Sequence, residues 1–147
     1  MTDDDVAVGS ALGPGQLPQL AALYGSTWWA ADRTAADIAA MAAASDLVVT
    51  LARRFDGRLV GFARVLTDFT YVALILDVIV APGSRGAGWG ARLMTAVVER
   101  PELAGVRSLE LVCQPELVGF YERWGFTAQV GRSRLMRRTD NPRLTGG

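Results

Sequence analysis

One run of residues constrains the fold of this chain more than any other. Residues 71–80 read YVALILDVIV and contain a single charged residue, Asp77. Strands buried on both faces have near-continuous apolar sequences of this kind, rather than an alternation of apolar and polar residues. The Ala-Pro-Gly that follows is a typical strand terminator. We therefore predict a central strand with helices packed on both faces of its sheet.

The residues before this run predict two helices and a hairpin. Apolar residues at helical spacing favour a helix over 16–25, and Thr34 is a suitable cap for an Ala-rich helix ending at Ala44. Asp56-Gly57 is a hairpin turn signal, because glycine tolerates a positive φ. The strands assigned here are 6–8, 47–52 and 59–66.

The residues after the run predict a parallel crossover. A helix carrying Leu93 and Val97 leads to a strand at 106–113, and a strand-helix-strand series of this length is a right-handed parallel unit. Pro115 suits the first turn of a further helix. Closing strands are assigned to 126–130 and 132–138. The predicted fold is α/β, a mixed and mostly antiparallel sheet with one parallel βαβ crossover, in one domain over 1–147 with a flexible tail at 140–147.

Composition excludes several kinds of function. The 147 residues include 15 basic and 15 acidic ones, and the basic residues are all arginine, since the chain has no His and no Lys. Balanced charge argues against a nucleic-acid partner. Triads that need histidine, His-ligated metals and Schiff-base lysines are excluded. The single Cys113 cannot form an internal disulfide and is interpreted as a small core residue.

Two further features bear on location. No stretch of about 18 apolar residues is present, so we expect no membrane partner. The first five residues, MTDDD, are acidic where a secretory signal would be positive, which predicts a cytoplasmic protein.

Glycines 86, 88 and 90 lie between the central strand and the next helix. Glycines at such a position let the backbone approach a ligand, and the N–H groups at a helix N-terminus attract a diphosphate. One ligand that fits is a dinucleotide, since Gly86-x-Gly88-x-x-Ala91 satisfies its fingerprint. However, Glu110, in the place of the ribose-binding acid, lies inside its strand rather than at its end.

The second ligand is coenzyme A, because the sequence resembles the GNAT superfamily of N-acetyltransferases. Arg85-Gly86-Ala87-Gly88-Trp89-Gly90 is similar to the diphosphate loop of that family. The segment 120–126, Phe-Tyr-Glu-Arg-Trp-Gly-Phe, resembles its Leu-Tyr-Glu-x-x-Gly-Phe motif. The resemblance covers residues 47–130. It implies acetyl transfer from acetyl-CoA to a primary amine by direct attack in a ternary complex. A non-catalytic acyl-CoA sensor is the alternative, and a dinucleotide-binding module is the third.

The resemblance also implies roles for individual residues. The strands at 71–80 and 106–113 are expected to splay, so that the backbone of the first meets the pantetheine arm and the thioester. Tyr121 is the implied acid for the leaving thiolate. The alternative is a core tyrosine. Trp89 either lies over the cofactor or covers the sheet. The implied cofactor-binding residues are Val78, Ile79, Val80, Arg85, Gly86, Ala87, Gly88, Trp89, Gly90 and Phe120.

Asp77 is the candidate base for the attacking amine, because by alternation it shares a face with Ala73, Ile75 and Ile79. Burial without a partner would raise its pKa toward the range of a base. The alternatives are pairing with an arginine, a hydrogen-bonded bulge, or a base role for Asp68 or a water relay.

The acceptor pocket is expected between the first two helices, their linker and the start of the central strand. Aromatic faces with the carboxylate of Asp32 suit a cationic or aromatic amine, on a small molecule or a peptide. Core packing is the alternative for each residue, and a homodimer is an option left open. The lining residues are Trp28, Trp29, Phe69 and Tyr71.

Overall fold

The computed structural model describes residues 5–84, 86 and 88–145. They build a five-stranded sheet in the order β1-β2-β3-β4-β5, with antiparallel neighbours throughout except for the parallel pair of β4 and β5. This confirms the predicted mixed sheet. The strands are β1 Val6–Gly9, β2 Leu47–Arg53, β3 Leu59–Thr67, β4 Val72–Val80 and β5 Ser108–Leu111.

The first two helices begin where the local signals place them, whereas the last begins at Val118, after a 3-10 turn at Pro115–Leu117. The Thr34 hydroxyl accepts the Asp37 N–H at 3.1 Å, so the second helix has the predicted side-chain cap. None of the described helices has the length and apolar character needed to cross a membrane. The helices are α1 Gln16–Gly25, α2 Ala35–Ala44, α3 Trp89–Val98 and α4 Val118–Glu122.

Two apolar cores cover the two faces of the sheet. Leu93, Met94 and Val97 of α3 pack on one face, against Val49 of β2 and Val65 of β3 among others. On the opposite face, α1 and α2 bury Tyr24, Ile38, Phe62 and Ile79. The helices therefore do lie on both faces, as a strand with so few polar residues requires.

A β-bulge in β4 changes which residues share a face. Phe62 pairs with Ile79 but Arg64 pairs with Leu76, so Asp77 and Val78 together oppose one residue of β3. As a result Ala73 and Ile75 face the α3 core, whereas Ile79 faces the α1/α2 core. The predicted common face of Ala73, Ile75, Asp77 and Ile79 is therefore wrong, because simple alternation takes no account of an inserted residue.

The closing strands predicted at 126–130 and 132–138 are also wrong. Residues 126–138 form no strand, and their side chains are exposed apart from that of Phe126, which is half-buried. Gly131 adopts a φ of 68° and interrupts the segment. Apolar side chains of this segment such as Leu135 and Met136 are exposed and so gain no buried face.

Candidate active site

The last part of β4 extends beyond its pairing with β5. The parallel register runs from Val72 and Ser108 to Ile75 and Leu111 and ends there, whereas β4 itself continues to Val80. The second half of β4 therefore continues past the end of its pairing with β5. Backbone amides along such an extension are suited to pair with an extended ligand that carries its own amides.

The glycine corner follows β4 directly. Gly86 and Gly88 have φ angles of 85° and 84°, and a Cβ added at either would meet no atom within 4 Å. Glycine is required there by the left-handed backbone and not by lack of space. Gly88 is the N-cap of α3 and offers no side-chain cap, so the first N–H groups of α3 remain available to an anion. Arg85 and Ala87, two of the predicted cofactor-binding residues, lie outside the described residues.

Phe120 joins α4 to this corner. A Cβ added at Gly90 would lie 3.4 Å from the Phe120 ring and 3.9 Å from Val80, so the bare backbone of Gly90 allows this packing. The ring centroids of Phe120 and Tyr121 are 5.0 Å apart. Helix α4 thus carries both aromatic residues to the side of the sheet on which the pairing of β4 with β5 ends.

Trp89 covers the sheet and does not lie over a cofactor. Its side chain is 1% exposed and packs in the α3 core. Its indole Nε1 is buried and donates to no group among the described residues. The contribution of Trp89 to a cofactor is therefore limited to its backbone N–H, because the ring has no open side.

Tyr121 has the properties that a proton donor needs. It is 9% exposed, and burial together with the nearby Cys113 raises the pKa of its hydroxyl to about 12. The hydroxyl forms no hydrogen bond with any of the residues that the structure describes. Tyr121 therefore keeps its proton at neutral pH, with no acceptor among the described residues competing for it.

Asp77 lies in a cluster that we call the Asp77 cluster, formed by Asp77, Tyr24, Arg33 and Arg64. Its Oδ2 accepts the Tyr24 hydroxyl at 2.7 Å, Arg33 Nη1 at 2.8 Å and Arg64 Nε at 2.7 Å. Burial alone would raise the pKa of Asp77, but the hydrogen bonds from Arg64, Tyr24 and Arg33 outweigh it and hold that pKa below its ordinary value.

The condition for a raised pKa at Asp77, burial without a partner, is not met, and the two alternatives of arginine pairing and a hydrogen-bonded bulge are found instead. Asp77 is therefore poorly suited to the role of the base. The side chain is 6% exposed, as the prediction required, but it has two cationic partners. The bulge turns Asp77 toward α1, with a φ of 56°. The contacts from Tyr24, Arg33 and Arg64 stabilise a backbone conformation that aspartate rarely adopts.

The predicted acceptor residues separate into two groups. Trp29 packs edge-on against Tyr24 at 6.2 Å and lies under the Arg33 guanidinium at 5.5 Å, so it adjoins the Asp77 cluster. Its neighbour Trp28 is mostly exposed. The carboxylate of Asp32 is paired on the surface with Arg143 at 2.7 Å, so it lines no enclosed pocket.

Phe69 and Tyr71 belong to the other group and lie away from the Asp77 cluster. Both are exposed and precede β4, about 20 Å along the strand from Val78. The nearby Asp68 carboxylate accepts the N–H groups of Thr70, Tyr71 and Val72, which hold its pKa below the ordinary value. Asp68 is consequently a poor base as well as a distant one.

Sequence reasoning missed three residues of this region, namely Tyr24, Arg33 and Arg64. Tyr24 was interpreted only as a helix core residue. Arg64 carried a usable signal, because an arginine inside an otherwise apolar strand needs a buried partner. Arg33 lies in an irregular linker, where no periodicity indicates the direction of a side chain.

The fold is that of an acetyltransferase. Residues 17–126 match the model of the acetyltransferase (GNAT) family. The chain belongs to the GNAT acetyltransferase family, as its two motifs predicted. A putative acetyltransferase of the same family from Xanthomonas campestris pv. campestris superposes with a TM-score of 0.77 at 34% identity, over 92% of this chain and 94% of the other.

Curated relatives match over a shorter stretch. An uncharacterised N-acetyltransferase of Porphyra purpurea is 32% identical over 84 residues, covering 56% of this chain and 48% of that protein. The chloroplastic serotonin N-acetyltransferase 2 of Oryza sativa subsp. japonica is 39% identical over 70 residues, covering 48% of this chain and 35% of its own length. The matches thus span about half or less of the curated relatives.

Proposed function

We propose that this chain transfers an acetyl group from acetyl-CoA to a primary amine, with both substrates bound at once. The observation that supports the proposal is that the pairing of β4 with β5 ends at Ile75, while β4 continues to Val80 and toward the glycine corner. The family membership and the names of the matched N-acetyltransferases support the same reaction.

The residues present fit acetyl-CoA. The backbone edge of β4 around Val78, Ile79 and Val80 would pair with the amides of the pantetheine arm. The N–H groups of Gly86, Gly88, Trp89 and Gly90 would bind the diphosphate, and Phe120 would border it. Arg85 and Ala87 are assigned to the same loop by the motif. Bound there, acetyl-CoA supplies an activated acetyl group as its thioester.

The chemistry needs little from side chains. The amine nitrogen attacks the thioester carbonyl carbon, the C–N bond forms and the C–S bond breaks. A backbone N–H of the β4 end donates to the carbonyl oxygen as negative charge develops on it. The Tyr121 hydroxyl would give its proton to the departing sulfur, water would remove the proton lost by the amine, and solvent would return a proton to the Tyr121 oxygen. With Asp77 poorly suited as the base, the water relay is the route for the proton of the amine.

The acetyl acceptor and the location of the protein are proposals. The acceptor is a small-molecule or peptide amine, and the name of the rice relative places serotonin in any panel that is tested. A cytoplasmic location remains a prediction of the sequence, and two of the matched relatives are named as chloroplastic proteins.

Release of free thiol from acetyl-CoA across an amine panel tests the function. We expect at least one amine to accelerate release above the rate without an amine. Thermal unfolding with and without acetyl-CoA reports binding separately. If acetyl-CoA raises the melting temperature but no amine accelerates release, the acyl-CoA sensor replaces the enzyme.

Gly88→Ala tests the glycine corner. Alanine is disfavoured at a φ of 84°, so the loop would shift and misalign the N–H groups at the start of α3. We expect acetyl-CoA affinity to fall about tenfold, measured by calorimetry. Gly83→Ala is the matched control, because Gly83 has no positive φ and an added Cβ meets nothing within 4 Å. If the two variants bind acetyl-CoA with equal affinity, the glycine corner is not part of the cofactor site.

A further inference from the structure

We propose that the acetyl acceptor carries an anionic oxygen group beside its amine, a carboxylate or a phosphate, and that Arg33 and Arg64 bind this group. This inference rests on the proposed function, since it assigns the acceptor of the same reaction. It concerns the Asp77 cluster, which the proposed chemistry does not use.

The cluster contains more positive than negative charge. Two guanidinium groups share one carboxylate oxygen, at 2.8 Å and 2.7 Å. The hydroxyl of Tyr24 stays neutral, because burial, and next the charge of Asp77, raise its pKa well above the usual range. Neither arginine has a second acidic partner among the described residues. One positive charge is thus left without a counter-ion.

The excess charge is partly shielded from water. The side chains of Arg64 and Asp77 are 13% and 6% exposed, and that of Arg33 is 32% exposed. An unbalanced charge in such a position costs free energy unless an anion approaches it. Arg33 provides the open side of the cluster, with its guanidinium held over the Tyr24 and Trp29 rings at 4.9 and 5.5 Å.

Both arginines also keep unused hydrogen-bond donors. Arg64 donates only from Nε, and its two terminal nitrogens donate to no group in the part of the chain that the structure describes. Arg33 uses Nη1 alone, toward Asp77 and the Met41 sulfur. A guanidinium presents its donors in a planar fork, which matches the oxygens of carboxylate and phosphate groups.

The cluster adjoins the place of acetyl transfer. Asp77 directly precedes Val78 in the β4 end that is proposed to hold the thioester. An amine at the thioester can therefore place a second group of the same molecule against Arg33 or Arg64. A purely cationic amine would instead approach an unbalanced positive charge, so we expect it to be a poorer acceptor.

Matched amines test the proposal through thiol release. L-Phenylalanine carries a carboxylate, L-phenylalaninamide replaces it with a neutral amide, and 2-phenylethylamine lacks the group. O-Phosphoethanolamine against ethanolamine forms the phosphate arm. We expect kcat/KM to be at least about tenfold higher for the anionic member of one pair. Equal or higher values for the neutral members of both pairs would overturn the proposal.

Binding provides a readout that does not depend on turnover. Calorimetry compares N-acetyl-L-phenylalanine with N-acetyl-L-phenylalaninamide, and inorganic phosphate serves for the second arm. We expect tighter binding of an anionic ligand even if turnover is absent. The absence of thiol release with every amine would count against the proposed function, whereas the loss of anion preference counts only against this inference.

Two variants move the charge of the cluster in opposite directions. Arg64→Gln removes the excess charge and should reduce the anion preference about tenfold. Asp77→Asn increases the excess, and asparagine tolerates the φ of 56°, so the preference should persist or grow. Arg53→Gln, which breaks a surface pair with Asp56 at the β2–β3 hairpin, is the control for loss of an arginine.

Thermal unfolding of each variant separates a binding role from a structural one. If Arg64→Gln lowers stability and slows anionic and neutral amines by the same factor, the cluster only holds the bulge and the proposal fails. A change confined to the anionic amines supports it.

Discussion

Tyr24 and Tyr121 are both buried, and both have raised pKa values, yet they differ in what their hydroxyl protons can do. Tyr24 packs on the α1/α2 face, where its hydroxyl donates to Asp77 at 2.7 Å. Tyr121 packs on the α3 face, and its hydroxyl meets no acceptor among the described residues. Burial alone therefore does not identify a catalytic tyrosine. The decisive property is whether the proton is already committed to a partner.

The same contrast extends to the two faces of the sheet. On the α1/α2 face, two arginines and the neutral Tyr24 hydroxyl surround one carboxylate oxygen, whereas Tyr121 belongs to the apolar cluster on the α3 face. An apolar surrounding favours the neutral form of an acid, so the Tyr121 hydroxyl keeps its proton.

Loss of the Tyr121 hydroxyl proton should have the largest effect of the changes considered, and the effect should be on the rate of thiol release. We expect Tyr121→Phe to lower the rate of thiol release by about a hundredfold to ten-thousandfold, the usual contribution of a positioned acid. Acetyl-CoA should still raise the melting temperature, because the ring remains in place. Tyr24→Phe is the matched variant, since it deletes the same hydroxyl on the opposite face. Equal loss of turnover in the two variants would contradict the comparison.

Loss of the Tyr24 hydroxyl proton should affect the free energy of unfolding more than the rate of thiol release. Tyr24→Phe deletes one of three hydrogen bonds to the buried Asp77 carboxylate, and a bond to a charged group contributes about 1.5–3 kcal/mol. We expect the free energy of unfolding, measured in urea, to fall by a value in this range. Tyr71→Phe is the control, because Tyr71 is exposed and the described residues give its hydroxyl no partner. If the free energy of unfolding falls no more than it does for Tyr71→Phe, the Tyr24 hydroxyl does not form a stabilising hydrogen bond with Asp77.

The smallest effect is expected in acid. The pKa of Asp77 is lower in the folded chain than its ordinary value of 3.8, so the folded state binds fewer protons than the unfolded state. The stabilisation from its ionised form is complete above that value and is lost as the pH falls through the folded-state pKa. Unfolding free energies of the wild type and Asp77→Asn should therefore converge below pH 3.8. A constant difference at all pH values would mean that Asp77 does not titrate in this way.

Most of the strands and helices could be predicted from local patterns. Helix α1 ends at Gly25 and α2 is capped by Thr34, as predicted, because these signals act within one helical turn. The β4 strand and the glycine corner were also found, since an apolar run and clustered glycines do not depend on distant residues. The failure at 126–138 has a different cause, because a strand needs a partner and a buried face that its own residues cannot supply.

The role of Asp77 shows why the contacts of the candidate site could not be predicted from local sequence patterns. The apolar run placed it correctly in a buried strand, but its pKa depends on which side chains meet it. Those partners lie 53, 44 and 13 residues away in the chain, at Tyr24, Arg33 and Arg64. The bulge that turns Asp77 toward them arises from the pairing of β3 with β4, and no single strand encodes it.

Three features could be predicted from the amino-acid sequence alone. They are the order along the chain of the first five strands and four helices, the family motifs, and the absence of histidine and lysine chemistry. These follow from residue identity and spacing, whose physical effects act over a few residues. Three other features could be read only from the three-dimensional structure. Asp77 is a paired anion, Trp89 covers the sheet, and Arg33 and Arg64 keep unused donors. Burial and charge compensation depend on all the neighbours in space at once, and folding brings those neighbours from distant parts of the chain.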